Sequence, residues 1–228
     1  MHAVATPRRL VVLISGRGSN LARLIEAIEQ GRLLAEIAAV ICNRPQAAGM
    51  ALARQAGIPV ELIDHTHYTD RAQFDQALAQ AIEPHQPDWI VLAGFMRVLS
   101  GAFVNAHLGR MINLHPSLLP LFPGLNTHRQ VLEAGHRQHG SSVHFVTEQL
   151  DGGPVLAQAR MTVQPADTPD TLKERLAPIE HRLLEATVRL LCTHQVRLVD
   201  GQHIEIDGAL RDSPLNLIDG NQNFGVLV

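Results

Sequence analysis

Leu10-Val11-Val12-Leu13-Ile14-Ser15-Gly16-Arg17-Gly18-Ser19-Asn20-Leu21-Ala22-Arg23-Leu24-Ile25 decides the fold. The apolar run at its start has no polar face, the pattern of a strand buried on both sides in a parallel sheet. A glycine-rich turn follows. From Ser19 to Gln30, Leu21, Leu24, Ile25 and Ile28 fall on one helical face, and Gly31 is placed to cap the end. Strand, glycine turn and helix make the first half of a βαβ unit.

The alternation continues outward. Strands are expected at Ile37–Cys42, Val60–Ile63, Trp89–Ala93 and Met111–Leu114, and helices at Ala47–Ala56 and Asp70–Ile82. After Pro116 the pattern changes. A proline-rich loop spans Ser117–Asn126 and a helix is expected at Thr127–Ala134. Strands are expected at Ser142–Thr147 and Val155–Val163, joined through the turn Asp151-Gly152-Gly153-Pro154. Thr168–His194 has a long helical pattern, expected to break or kink at Pro178. Arg197–Val199 and His203–Ile206 suit a hairpin across Asp200-Gly201. The last 20 residues, rich in Gly, Asn and Asp, are assigned no structure. The expected architecture is α/β: a single Rossmann-like domain over residues 1–228. Its open, mostly parallel sheet is flanked by helices, with antiparallel strands toward the C-terminus. Its core covers about 9–200 and its tail 208–228.

Composition narrows the function classes. Of 228 residues, 46% are hydrophobic and 18% charged, enough apolar material for a sizeable core. Nineteen basic against 22 acidic residues leave a net charge of −3, which argues against a nucleic-acid partner bound through a broad basic surface. No apolar run approaches the roughly 20 residues of a membrane-spanning helix, and the N-terminal run is too short for a signal peptide. Two cysteines, Cys42 and Cys192, make no disulfide framework, so a reducing, cytoplasmic setting is expected.

Three stretches carry chemistry. Ser15–Asn20 places glycines and a helix N-terminus beyond the carboxyl end of a strand, where an anion such as phosphate can bind; a plain tight turn is the alternative. It lacks the third glycine of a dinucleotide fingerprint and the Lys-Ser/Thr of a P-loop. Asn113-Leu114-His115-Pro116-Ser117-Leu118-Leu119-Pro120 ends the fifth strand. Alternation points Asn113 and His115 to one side. A carboxamide can donate to a developing oxyanion, and an imidazole can exchange a proton near neutral pH. Leu150-Asp151-Gly152-Gly153-Pro154 offers a carboxylate able to orient that imidazole, or simply a turn. Thirteen histidines show no metal-ligand spacing, so no metal is expected. No Gly-x-Ser-x-Gly elbow is present.

Taken together with Ala93-Gly94-Phe95-Met96-Arg97-Val98-Leu99, Pro123-Gly124-Leu125-Asn126-Thr127-His128-Arg129-Gln130 and Val143-His144-Phe145-Val146-Thr147, these stretches resemble the phosphoribosylglycinamide formyltransferase family in order and spacing. The resemblance covers roughly residues 9 to 200. It implies formyl transfer from 10-formyltetrahydrofolate, the co-substrate, to the amine of glycinamide ribonucleotide (GAR) in purine synthesis. It also implies catalysis by Asn113, His115 and Asp151, with Asn113 and a protonated His115 stabilising the oxyanion. Asp151 would hold His115 and assist transfer of the amine's proton to the folate nitrogen. GAR would be held by Gly18, Ser19, Asn20 and Glu180. The folate would be held by Arg71, Met96, Arg97, Val98, Leu99, Asn113, Thr147, Glu148, Gln149, Leu150 and Asp151. The partners are the two small molecules, and the protein would be a monomer or homodimer. Three features depart from the family pattern: Pro178 two residues before Glu180, Leu121 where relatives often carry a basic residue, and the tail from about Gly208.

Neighbouring activities make the nearest rivals. A formyltetrahydrofolate hydrolase would carry an N-terminal regulatory domain, for which the first strand, near residue 10, leaves no room. A methionyl-tRNA formyltransferase would carry a C-terminal nucleic-acid-binding domain, whereas about 30 residues follow the last long helix. A silent binder would bind without turnover.

Overall fold

A computed structural model describes residues 6–217. Its main sheet has eight strands: β1 (Arg8–Ile14), β2 (Ala35–Cys42), β3 (Val60–Leu62), β4 (Trp89–Leu92), β5 (Met111–His115), β6 (Gln138–Phe145), β7 (Val155–Thr162) and β11 (Leu215–Leu217). The order is β11-β7-β6-β5-β4-β1-β2-β3. Strands β1 to β5 pair in parallel with one another, while β6 runs antiparallel to both β5 and β7. A second sheet, β10-β9-β8, is antiparallel and built from β8 (Val196–Val199), β9 (His203–Ile206) and β10 (Ala209–Arg211).

The apolar run that opens the chain feeds both faces of the sheet. Leu10, Val12 and Ile14 join one core with Leu21 and Leu24 of α1 (Ser19–Glu29) and Leu183, Leu184 and Val188 of α6 (Pro169–Thr193). Val11 and Leu13 join the other core with Phe74 and Leu78 of α3 (Arg71–Ile82) and Phe103 and Val104 of α4 (Gly101–Ala106). A strand buried on both faces needs no polar alternation, which is why its sequence is continuously apolar. The remaining helices are α2 (Gly49–Gln55) and α5 (Thr127–Glu133). Among the described residues no helix is long and apolar enough to cross a membrane.

Three expectations are corrected. Helix α6 is continuous through Pro178, against the expected break. The residue is exposed, so its ring faces water, and the helix forgoes the one hydrogen bond to the Glu174 carbonyl. Leu172, Leu176, Leu183 and Leu184, buried before and after it, hold both halves on the core, and together they outweigh a proline cost of about 3 kcal/mol. Strand β6 begins at Gln138, four residues before the expected Ser142. Part of the tail is ordered: Ala209–Arg211 completes the small sheet, and Leu215–Leu217 pairs in parallel with β7, burying Leu215. The rest of the tail, 218–228, lies outside the described residues. Helix α4 is an addition, six residues being too short to show a period.

Candidate active site

Two loops at the carboxyl end of the parallel strands build the site. Gly18 has φ 76° and caps α1 in the left-handed region. A Cβ there would stand 2.7 Å from the Gly49 Cα, so glycine is required on both counts. The Gly49 N–H donates to the Gly16 carbonyl at 3.0 Å, docking the loop on α2. Ser15 locks the other side: its hydroxyl donates to Asn43 Oδ1 at 2.5 Å and accepts from the Met96 N–H at 2.7 Å. Ser19 and Asn20 thus open α1 on a fixed loop. No side chain caps this helix and no acidic residue occupies its first turn. Its free N–H groups therefore favour an anion. Asn20 Oδ1 is buried without a partner.

Asn113 and His115 project from β5 to the same side, as strand alternation requires. Antiparallel pairing with β6 sets His144 opposite Asn113. Asn113 Nδ2 donates to His144 Nε2 at 3.1 Å and reaches Asp151 Oδ1 at 3.5 Å. His144 Nδ1 lies 2.9 Å from the Phe145 carbonyl, which only accepts, so in the neutral ring Nε2 is the acceptor for Asn113. His115 Nδ1 lies 3.5 Å from Asp151 Oδ2. His115 Nε2 lies 3.0 Å from the Phe122 carbonyl, aimed by a backbone with φ 54°. The Gly124 N–H donates to Asp151 Oδ2 at 2.8 Å. The Asp151 carboxylate thus gathers the other two expected catalytic residues, Asn113 and His115, together with His144.

Electrostatics assign their charges. Burial raises the Asp151 carboxyl, but the His144 ring, the Gly124 N–H and the His115 ring, the two imidazoles acting through their protonated forms, together hold it below the usual carboxylate value. It is an anion at neutral pH. Burial lowers His115 below its ordinary 6.5, only partly offset by the Phe122 carbonyl and Asp151. The shift favours the neutral ring, while Asp151 beside Nδ1 favours the protonated ring that the sequence reading expects; Nε2 faces the Phe122 carbonyl.

Beside this cluster an open cleft is lined by Arg97, Val98, Leu99, Asn113 and the whole of Thr147 to Asp151. These are nine of the expected folate positions. Arg71, at the start of α3, and Met96, 52% exposed, are not among the lining residues. Sequence reasoning missed Leu92, Phe95, Val104, His144 and Val146, which also line the cleft. His144 carried one usable signal, its place inside a quoted motif; its register against Asn113 carried none. Glu180 sits on α6, which packs beside α1 and against β6. Burial pushes its carboxyl up to about 7 against the opposing pull of Lys173 and the Ser141 hydroxyl.

The open α/β fold is shared with known proteins. The formyl transferase family model matches residues 8–188, and the chain belongs to that family. Its relatives include the phosphoribosylglycinamide formyltransferase of Escherichia coli (strain K12), 43% identical over 209 residues, or 89% of this chain and 99% of that one. The solved phosphoribosylglycinamide formyltransferase of Coxiella burnetii is 46% identical with a TM-score of 0.85, covering 90% of this chain and 95% of that one. The trifunctional purine biosynthetic protein adenosine-3 of Bos taurus is 44% identical over 196 residues; the match takes 86% of this chain but 19% of that longer protein.

Proposed function

We infer that this chain is a phosphoribosylglycinamide formyltransferase, moving the formyl group of 10-formyltetrahydrofolate to the amine of GAR in purine biosynthesis. The observation that carries the reading is the meeting of Asn113, His115 and Asp151, with Asn113 and Asp151 lining the cleft and His115 buried behind Asp151. The amine attacks the formyl carbon, and Asn113 Nδ2 donates to the oxygen that becomes an oxyanion. The amine nitrogen loses a proton as its bond to carbon forms. Neutral His115 can accept that proton at Nδ1, where the Asp151 carboxylate stabilises the resulting cation. The bond from carbon to the folate nitrogen then breaks, and that nitrogen takes a proton. The products are formyl-GAR and tetrahydrofolate. The α1 N-terminus with Ser19 and Asn20 would bind the GAR phosphate, and Glu180 its ribose hydroxyls. The remaining proposals are a single formyltransferase domain, a cytoplasmic setting favoured by two free cysteines, and a monomer or homodimer.

The test is a spectrophotometric assay with 10-formyltetrahydrofolate, with and without GAR. Tetrahydrofolate formed only with GAR, together with formyl-GAR, supports the transferase; release without GAR points to a hydrolase. Replacing Ser19 and Asn20 together by alanine is expected to raise KM for GAR about ten-fold or more, with KM for the folate nearly unchanged. Parallel loss of both would instead signal a damaged fold.

Glu180 gives a pH signature. Its carboxyl ionises near 7, and the ionised form accepts from both ribose hydroxyls. KM for GAR should therefore fall as pH rises from about 6 to 8. The GAR phosphate titrates in the same range, so Glu180→Gln is the control: it should keep only the phosphate's share of the dependence. Identical profiles in both proteins would remove Glu180 from the ribose site.

A further inference from the structure

The loop at 147–151 forms one wall of the cleft, and Asp151 fixes its far end through Gly124 and His115. Its near end is fixed differently. Glu148 Oε1 accepts from Asn105 Nδ2 in a solvent-exposed hydrogen bond. Asn105 lies on α4, one turn beyond Gly101 and on the same helical face. A Cβ on Gly101 would stand 2.9 Å from both Cδ and Oε1 of Glu148. The glycine therefore leaves the space that the carboxylate occupies. Helix α4 is itself held firmly. Ser100 caps it, and the Ser100 N–H donates at 2.6 Å to Asp75, a buried carboxylate of α3. Phe103 and Val104 anchor its inner face in the core.

We propose that Asn105 and Gly101 form a latch for Glu148, which holds the 147–151 loop in place for the formylated folate; Asn105 is a positioning residue. The inference rests on the formyltransferase reading, which puts the folate in this cleft. A loop already held in its binding shape has less conformational freedom to lose when the folate enters. The latch acts on the near end only. Asp151 keeps its own partners, so the effect falls on folate binding rather than on the chemical step.

Two variants test it without touching a cleft residue. Asn105→Ala removes the donor. Gly101→Ala places a methyl where the carboxylate sits; its clash is with the tip of a flexible side chain, and alanine suits a helix, so the fold is kept. Each is expected to raise KM for 10-formyltetrahydrofolate about ten-fold, with KM for GAR and kcat within about two-fold. In the unliganded protein, amide hydrogen exchange at 148–151 should quicken in both. Glu148→Gln keeps an acceptor for Asn105 and should leave the exchange rate at its native value. Asn105→Ala added to Glu148→Ala should cost nothing beyond Glu148→Ala alone. Unchanged folate KM and unchanged exchange in both single variants, in a native protein that makes formyl-GAR, would overturn the latch. A native protein that makes no formyl-GAR would overturn the functional reading instead, and the exchange data would still judge the latch.

Discussion

Asn113→Ala is expected to lower kcat by about 10²–10³, roughly 2.7–4 kcal/mol of transition-state stabilisation, with both KM values within a few-fold. The side chain sits at the wall of the cleft with its amide nitrogen between His144 Nε2 and Asp151 Oδ1. The contact to His144 orients the carboxamide before substrate arrives, and the long contact to Asp151 is the one given up to the oxyanion. A ground-state formyl oxygen needs this donor weakly; the oxyanion needs it strongly, so the loss falls on kcat. The measurement is saturating kinetics with both substrates. Thermal unfolding serves as control, because alanine leaves His144 Nε2 without its donor. Turnover within a few-fold of native at unchanged stability would remove Asn113 from the catalytic set. The isosteric Asn113→Asp should be at least as damaging, since it puts a second carboxylate beside Asp151.

The parallel half of the fold was legible because burial on both sides leaves one kind of mark, an unbroken apolar run, as at Leu10–Ile14. The pairing of Asn113 with His115 on one side of β5 was legible for a similar reason, since a period of two sets them there. What joins separate elements was not. The placement of Asp151 between them depends on the turn after β6 and on the Gly124 N–H, and neither leaves a sequence period. His144 enters the site through the register of β6 against β5, which tertiary packing sets. The unbroken α6 shows the same limit. The local penalty at Pro178 is readable in one residue, while the leucines that outweigh it act through contacts with distant strands.

His115→Ala is expected to cost about 10²–10⁴ in kcat while KM for GAR stays within a few-fold. The role assigned to the ring is to take the amine's proton at Nδ1, a step needed only on the way to product. This assignment also fixes a pH dependence. Burial holds His115 below 6.5, and only the neutral ring can accept the proton. Activity of the native protein should therefore fall as pH drops through a value below 6.5, with Asp151 still ionised there. The residual activity of His115→Ala should lack that limb. Acid also acts on the fold. Burial likewise lowers His128, and lowers His139 to about 4, so both are neutral in the folded state. Groups with depressed folded values contribute stability that is present above about 6.5 and lost as pH falls toward those values. The profile must accordingly be taken where circular dichroism shows both proteins folded. A limb that persists unchanged in folded His115→Ala would move the proton acceptor elsewhere. His144, on the other side of the same carboxylate, would be the next ring to replace.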